Sequence, residues 1–234
     1  MATTTSKRVE QGDATRSALL AVARRLFGTG GYAATSLQGI VESAGVTKGA
    51  FYHHFATKQE LFLAVFEQVQ REIGREAFVV HLDHEHPDAS PDAPGPAVRD
   101  LSAETNEQVW DHLLVGCRTY LELHARPDVQ RIVLIDGRAI LPWTDWHRIH
   151  ADHGVTLLRA DLRRARNRRL IRDLPLATVA TLLAGALHEA CILIAHADDV
   201  EAAITASMAV VAHFLHGLRA DASELAGGGA GGPT

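Results

Sequence analysis

The chain has 234 residues, but only two cysteines, Cys117 and Cys191. Two are too few for a disulfide framework, so a reduced, cytoplasmic setting is expected. Strand-like alternation of Val, Ile and Thr is missing over any useful length, which argues against a sheet. The opening residues, MATTTSKRVEQGD, are polar and hold no apolar segment of the secretory kind, so no signal is expected there. No nucleophile–base pair, cofactor loop or paired carboxylate stands out, so no catalytic residue and no cofactor are expected. The most apolar run, Leu174 to Ala197, is long enough to cross a bilayer. His188 and Glu189 interrupt it and no basic flank follows, so a buried helix without membrane association is expected instead.

What is present is helix-forming sequence with an uneven charge. The net charge is −5. Residues 1–60 carry seven Lys/Arg against four Asp/Glu, so the rest of the chain carries an excess of eight negative charges. A basic head on an acidic body points to a segregated anion-binding module.

The expected fold class is all-α: a three-helix head with a helix-turn-helix on a larger helical body. In the head, Leu19, Val22, Ala23, Leu26 and Phe27 recur at helical spacing, and Gly28, Gly30 and Gly31 end that helix. Thr35 with Gln38 reads as a capping box opening a second helix, which Gly45 stops. Thr47 caps a short third helix, and Thr57 with Glu60 opens a longer fourth. Helix, glycine turn and short helix make a helix-turn-helix. Phe51 and Ala50 anchor the short helix, which leaves Lys48, Gly49, Tyr52 and His53 outward, on a cylinder that fits a major groove. Adjacent His53 and His54 point about 100° apart on a helix, so they share a metal ion poorly. A core position for Tyr52 is the competing reading.

The segment TSLQGIVESAGVTKGAFYHHFATKQELF resembles the DNA-binding signature of the TetR family of bacterial transcription regulators. The likeness rests on Ala44-Gly45-Val46, Tyr52-His53-His54-Phe55, Lys58 and Leu61, and covers about residues 13–65. It implies base contacts from Lys48, Gly49, Ala50 and His53. It implies phosphate contacts from Thr35, Ser36, Thr47, Tyr52, His54 and Lys58. It also implies a homodimer on a palindromic double-stranded operator and a small-molecule effector that releases a repressor. The expected organisation is an arm at 1–12, a DNA-binding domain at 13–58, a ligand-binding and dimerisation domain at 59–220 with a mobile loop at 81–103, and a glycine-rich disordered tail at 221–234.

In the body, helices are expected near 104–125, 127–140, 142–169, 174–196 and 198–219. Candidate pocket residues are Trp110, Leu113, Cys117 and Tyr120, then Trp143, Trp146, His147 and His150, with His188 and Cys191. Aromatic groups with a few polar tips suit a mostly apolar or aromatic organic ligand. The last helix carries two apolar stripes, and Leu183, Leu187, Ile194, Ile204, Met208, Val211 and Leu215 are the expected dimer interface. The spacings His147, His150, His153 and His81, His84, His86 would allow a metal, but none is expected. The arginines from Arg159 to Arg172 read as a solvated helix end pairing with Asp161 and Asp173. Rival readings are an all-α enzyme using the aromatic pocket and a non-specific architectural DNA-binding protein.

Overall fold

The computed structural model describes residues 3–78 and 104–220, with side chains from Gly12 onward. Both the loop expected at 81–103 and the tail expected at 221–234 lie outside the described residues. Eleven α-helical segments and two π-wound turns make up the described chain, and its one β feature is an isolated bridge between Ile171 and Arg219. These residues form two compact units.

The first unit comprises the described residues within 3–73 and 123–152. Helix α1 (Thr3–Ala34) reaches back into the stretch expected as an arm, which holds no proline and no glycine before Gly12 to stop it. It breaks at Gly31, whose φ of 79° is open to glycine and costly for other residues. Helices α2 (Leu37–Ser43) and α3 (Lys48–His54) follow, joined through Gly45 at φ 64°. Helix α4 (Lys58–Ala77) closes the head. Leu19, Ala23, Phe27, Ile40, Phe51, Leu61, Phe62, Val65 and Phe66 are all fully buried. Phe27 and Phe62 meet edge to face at 5.2 Å, a favoured aromatic geometry. Because α4 spends Leu61 to Val69 on this core, the boundary expected at residue 58 falls inside a compact unit.

The same unit takes in a stretch that the sequence assigned to the body. Here α6 (Pro127–Val129), the π-wound turn π1 (Gln130–Asp136) and α7 (Gly137–Ile140) run consecutively, and α8 (Trp143–His150) follows. Segment and head pack closely: a Cβ added at Gly28 would stand 2.9 Å from Cβ of Asp128.

The second unit comprises the described residues within 74–122 and 153–220. It contains most of α5 (Asn106–His124), with α9 (Thr156–Asn167), α10 (Leu176–Ala195) and α11 (Val200–Gly217); a second π-wound turn, π2 (Ala151–Val155), precedes α9. Asp199 caps α11 by accepting from Ala202 N–H at 3.0 Å. The end of α11 is tied down by backbone bonds, Arg172 N–H to Leu218 C=O at 2.9 Å and Ala220 N–H to Leu170 C=O at 3.1 Å. Arg219 stacks over the Trp110 ring at 4.3 Å.

Helix α10 is apolar nearly all round, yet a single chain does not cover it: Leu182 and Leu193 are 70% and 64% exposed. On α11, Val210 and Phe214 are also exposed, whereas Ile204, Val211 and Leu215 are buried. Both helices are long and apolar enough to cross a membrane by length and composition alone. The core helix of a soluble protein passes the same test, and Leu183, Leu187 and Ile194 of α10 are buried within the unit.

Candidate nucleic-acid interface

The recognition surface is built from three short-range devices. Ser36 Oγ accepts from Gly39 N–H at 3.0 Å and so caps α2. Thr47 Oγ1 accepts from Ala50 N–H at 3.1 Å and caps α3. At the start of α4, Thr57 Oγ1 accepts from Glu60 N–H at 3.0 Å, while Glu60 Oε2 accepts from Ala56 N–H, one residue before the cap, at 2.6 Å, a variant of the capping box. With its start fixed by Thr47 and its inner face by fully buried Phe51, α3 has little freedom to roll.

That anchoring decides which side chains face out. Lys48, Gly49 and His53 are exposed, Tyr52 is 56% exposed, and Ala50 and His54 are half-buried. The core reading of Tyr52 therefore fails. Phe55 is buried, with the Arg16 guanidinium 5.4 Å from its ring centroid. The rings of His53 and His54 sit 5.1 Å apart at 74°, edge to face.

Two expected phosphate contacts are turned inward instead. Thr35 is buried; its hydroxyl donates to the Gly31 carbonyl at 2.8 Å, with the Leu26 carbonyl at 3.2 Å. Ser36, not Thr35, is the N-cap, because the break at Gly31 places Thr35 under the turn. Lys58 donates to the Tyr32 and Thr35 carbonyls, both at 2.9 Å, and its ammonium lies 3.9 Å from the Tyr32 ring centroid. Burial lowers the Lys58 pKa, and nearby Asp136 opposes that shift. Ser36 and Thr47 are exposed, and each hydroxyl oxygen accepts a backbone N–H, so each hydroxyl proton can be donated outward.

Sequence reasoning missed Asp136 altogether. Its Oδ2 accepts from Tyr32 N–H at 2.7 Å across 104 residues of chain. No local pattern signals a partner that remote.

The expected pocket residues fall into two groups in different units. In the first unit they form a ladder along α8: Trp143 stacks on Trp146 at 5.3 Å and 16°, and Trp146 on His150 at 5.2 Å and 10°. Trp143 is 67% exposed, His147 is exposed beside it, and Trp146 is buried. In the second unit Trp110, Leu113, Cys117, Tyr120, His188 and Cys191 are all buried. Burial pushes the Cys117 thiol up to about 12 and the Cys191 thiol higher still, so neither is a reactive thiolate.

Close by is a buried charged cluster. Arg164 lies 3.4 Å from Asp161 and 3.5 Å from Glu104, and His112 stands 3.0 Å from Glu104. Burial pushes the Asp161 carboxyl up to about 7; Arg164 pulls the other way and loses. Arg166 pairs with Asp173 at 3.7 Å. The expected acid partners of the arginine run are thus present, but Arg164 is largely buried rather than solvated. Among the described residues no group of three or more His, Cys, Asp or Glu is gathered as a metal ion would need.

The expected dimer stripe needs correction. Leu183, Leu187, Ile194, Ile204, Val211 and Leu215 are buried by their own chain and Met208 is half-buried. Exposed apolar surface lies on the other stripe, at Leu182, Leu193, Val210 and Phe214.

Known proteins share both halves of the chain. Residues 19–65 match the family described as bacterial regulatory proteins, tetR family, and residues 110–218 match a tetracyclin repressor-like C-terminal domain. HTH-type transcriptional regulator AcrR of Shigella flexneri is 43% identical over 68 residues, 29% of this chain and 32% of that protein. HTH-type transcriptional regulator TtgR of Pseudomonas putida is 42% identical over 60 residues, 26% of this chain and 29% of that protein. The chain thus spans less than a third of these curated relatives. The solved structure of a TetR-family transcriptional regulator from Pectobacterium atrosepticum is similar at a TM-score of 0.68 and 28% identity, over 91% of this chain and 97% of that one.

Proposed function

The chain belongs to the TetR family of bacterial regulatory proteins, and from that premise we propose that it is a cytoplasmic, ligand-responsive repressor that reads a palindromic operator as a homodimer. The observation that carries this reading is α3: a capped, anchored helix that presents Lys48, Gly49, Tyr52 and His53 outward from a head with excess positive charge. Lys48 and His53 supply donors for base edges, and Gly49 removes the side chain that would hold the backbone away. Ser36, Thr47, Tyr52 and His54 supply donors for phosphates on either side.

The exposed stripe of α10 and α11 supports the dimer. Leu182, Leu193, Val210 and Phe214 are large apolar groups left in water by one chain, and exposed Ala202, Ala206 and Ala209 let another helix approach closely. A two-fold pair would bury this face against itself and present two copies of α3 to DNA. The buried aromatic, thiol and imidazole groups of the second unit favour a largely apolar or aromatic effector. Effector and operator would then weaken each other by the same factor.

Selection from a random duplex library tests the reading. The expected product is an inverted repeat bound by two chains, with affinity that falls steeply with salt. Recovery of sequences without a common motif would overturn it in favour of non-specific binding.

A further inference from the structure

One residue at the α1–α2 junction is gripped at both ends by opposite charges. Gly31 breaks α1, so the next N–H, that of Tyr32, has lost its helical acceptor. Asp136 takes it at 2.7 Å. The carbonyl of the same residue accepts from Lys58 at 2.9 Å, and so does the carbonyl of Thr35, the last residue before the α2 cap. The Tyr32 ring is wedged between the Lys58 ammonium and Phe62, the latter at 5.1 Å. Asp136 is the final residue of π1, and a π turn rewound as α-helix would rotate its end by about 100° per residue displaced. Neither charged residue lies within α2 or α3. Together they hold the turn from which α2, and α3 beyond it, depart.

We propose that Asp136 and Lys58 are positioning residues for operator recognition, clamping the Tyr32 backbone so that α2 and α3 leave α1 at one fixed angle. The assignment rests on the DNA-reading function above. It makes Lys58 a structural cation rather than a phosphate contact. It also gives a carboxylate a supporting role inside a DNA-binding unit, where its charge alone would oppose binding.

That opposition of sign makes the test decisive. Asp136→Ala and Asp136→Asn are compared with the parent chain on the selected duplex and on a random-sequence duplex of equal length. Exchange of the Tyr32 amide is followed in all three proteins without DNA. The clamp predicts that Asp136→Ala lowers affinity for the selected duplex by about tenfold or more, the scale of one lost charge-assisted bond. Affinity for the random duplex stays level or rises, and Tyr32 exchange accelerates. Asp136→Asn keeps an acceptor oxygen and recovers part of both losses, which also guards against an alanine variant that fails to fold. Lys58→Ala loses the same preference with an unchanged salt slope. Unchanged Tyr32 exchange in Asp136→Ala, or unchanged or tighter binding to the selected duplex, would overturn the proposal. So would a salt slope lowered by about one in Lys58→Ala, the mark of a phosphate contact. If the parent chain selects no duplex, the DNA reading fails, while the exchange measurement still judges the clamp.

Discussion

At Gly49 a side chain would meet only the Thr47 hydroxyl, at 3.8 Å, and the backbone there is not left-handed. Packing and turn geometry therefore give no reason for glycine in the first turn of α3, where it costs helix stability. The proposed approach of α3 to DNA would supply one. Gly49→Ala is expected to stabilise the head by up to about 1 kcal/mol in thermal unfolding and yet to weaken operator binding. A variant that gains stability and binds as tightly as the parent would remove Gly49 from the interface. Gly31 and Gly45 differ in kind: both hold positive φ, so alanine there strains the backbone. Lys58 shows the limit of reading at this scale. Its position at the mouth of α4 was legible in the sequence; the direction of its ammonium was not, because the carbonyls it binds become available only when Gly31 breaks α1.

Among the elements, those with local signals were legible. Thr47, and Thr57 with Glu60, cap the helices they precede, and proline at 127, 142 and 175 stands at or just before helix starts. What depended on distant partners was not legible. Residues 127–150 look like any body helix in sequence, yet they pack with the head, and nothing in QRIVLID announces a π-wound turn. The choice between the two stripes of α11 also eluded the sequence, since both carry large apolar residues. The structure puts Ile204, Val211 and Leu215 inside and leaves Val210 and Phe214 out. Phe214→Glu is accordingly expected to leave helicity intact and to shift the chain to a monomer in sedimentation, whereas a buried-stripe change such as Val211→Glu would unfold it. A dimer that persists with Phe214→Glu would place the interface elsewhere.

For the whole molecule, charge is divided by task. The head carries the positive excess, while the second unit buries a carboxylate cluster whose cost appears in its pH dependence. Asp161 is raised from 3.8 to about 7 by burial, with Glu104 adding to the shift and Arg164 opposing it. Between those values the native state keeps a proton that the unfolded chain has released, so stability falls as pH rises, and the slope vanishes above about 7. Denaturant unfolding at pH 5 and pH 8 should show the parent chain more stable at pH 5. Asp161→Asn should flatten that difference; an unchanged difference would mean another group is responsible. The head has no such buried acid cluster among its described residues, and the proposed function sets it a different demand: exposed α3 would have to meet base edges in a groove. Methylation protection of guanine N7 on the selected duplex tests that demand most directly. Two protected major-groove patches centred one helical turn, about 34 Å, or a multiple apart are the predicted result. Absence of protection at guanine N7, or protection spread evenly along the duplex, would contradict it.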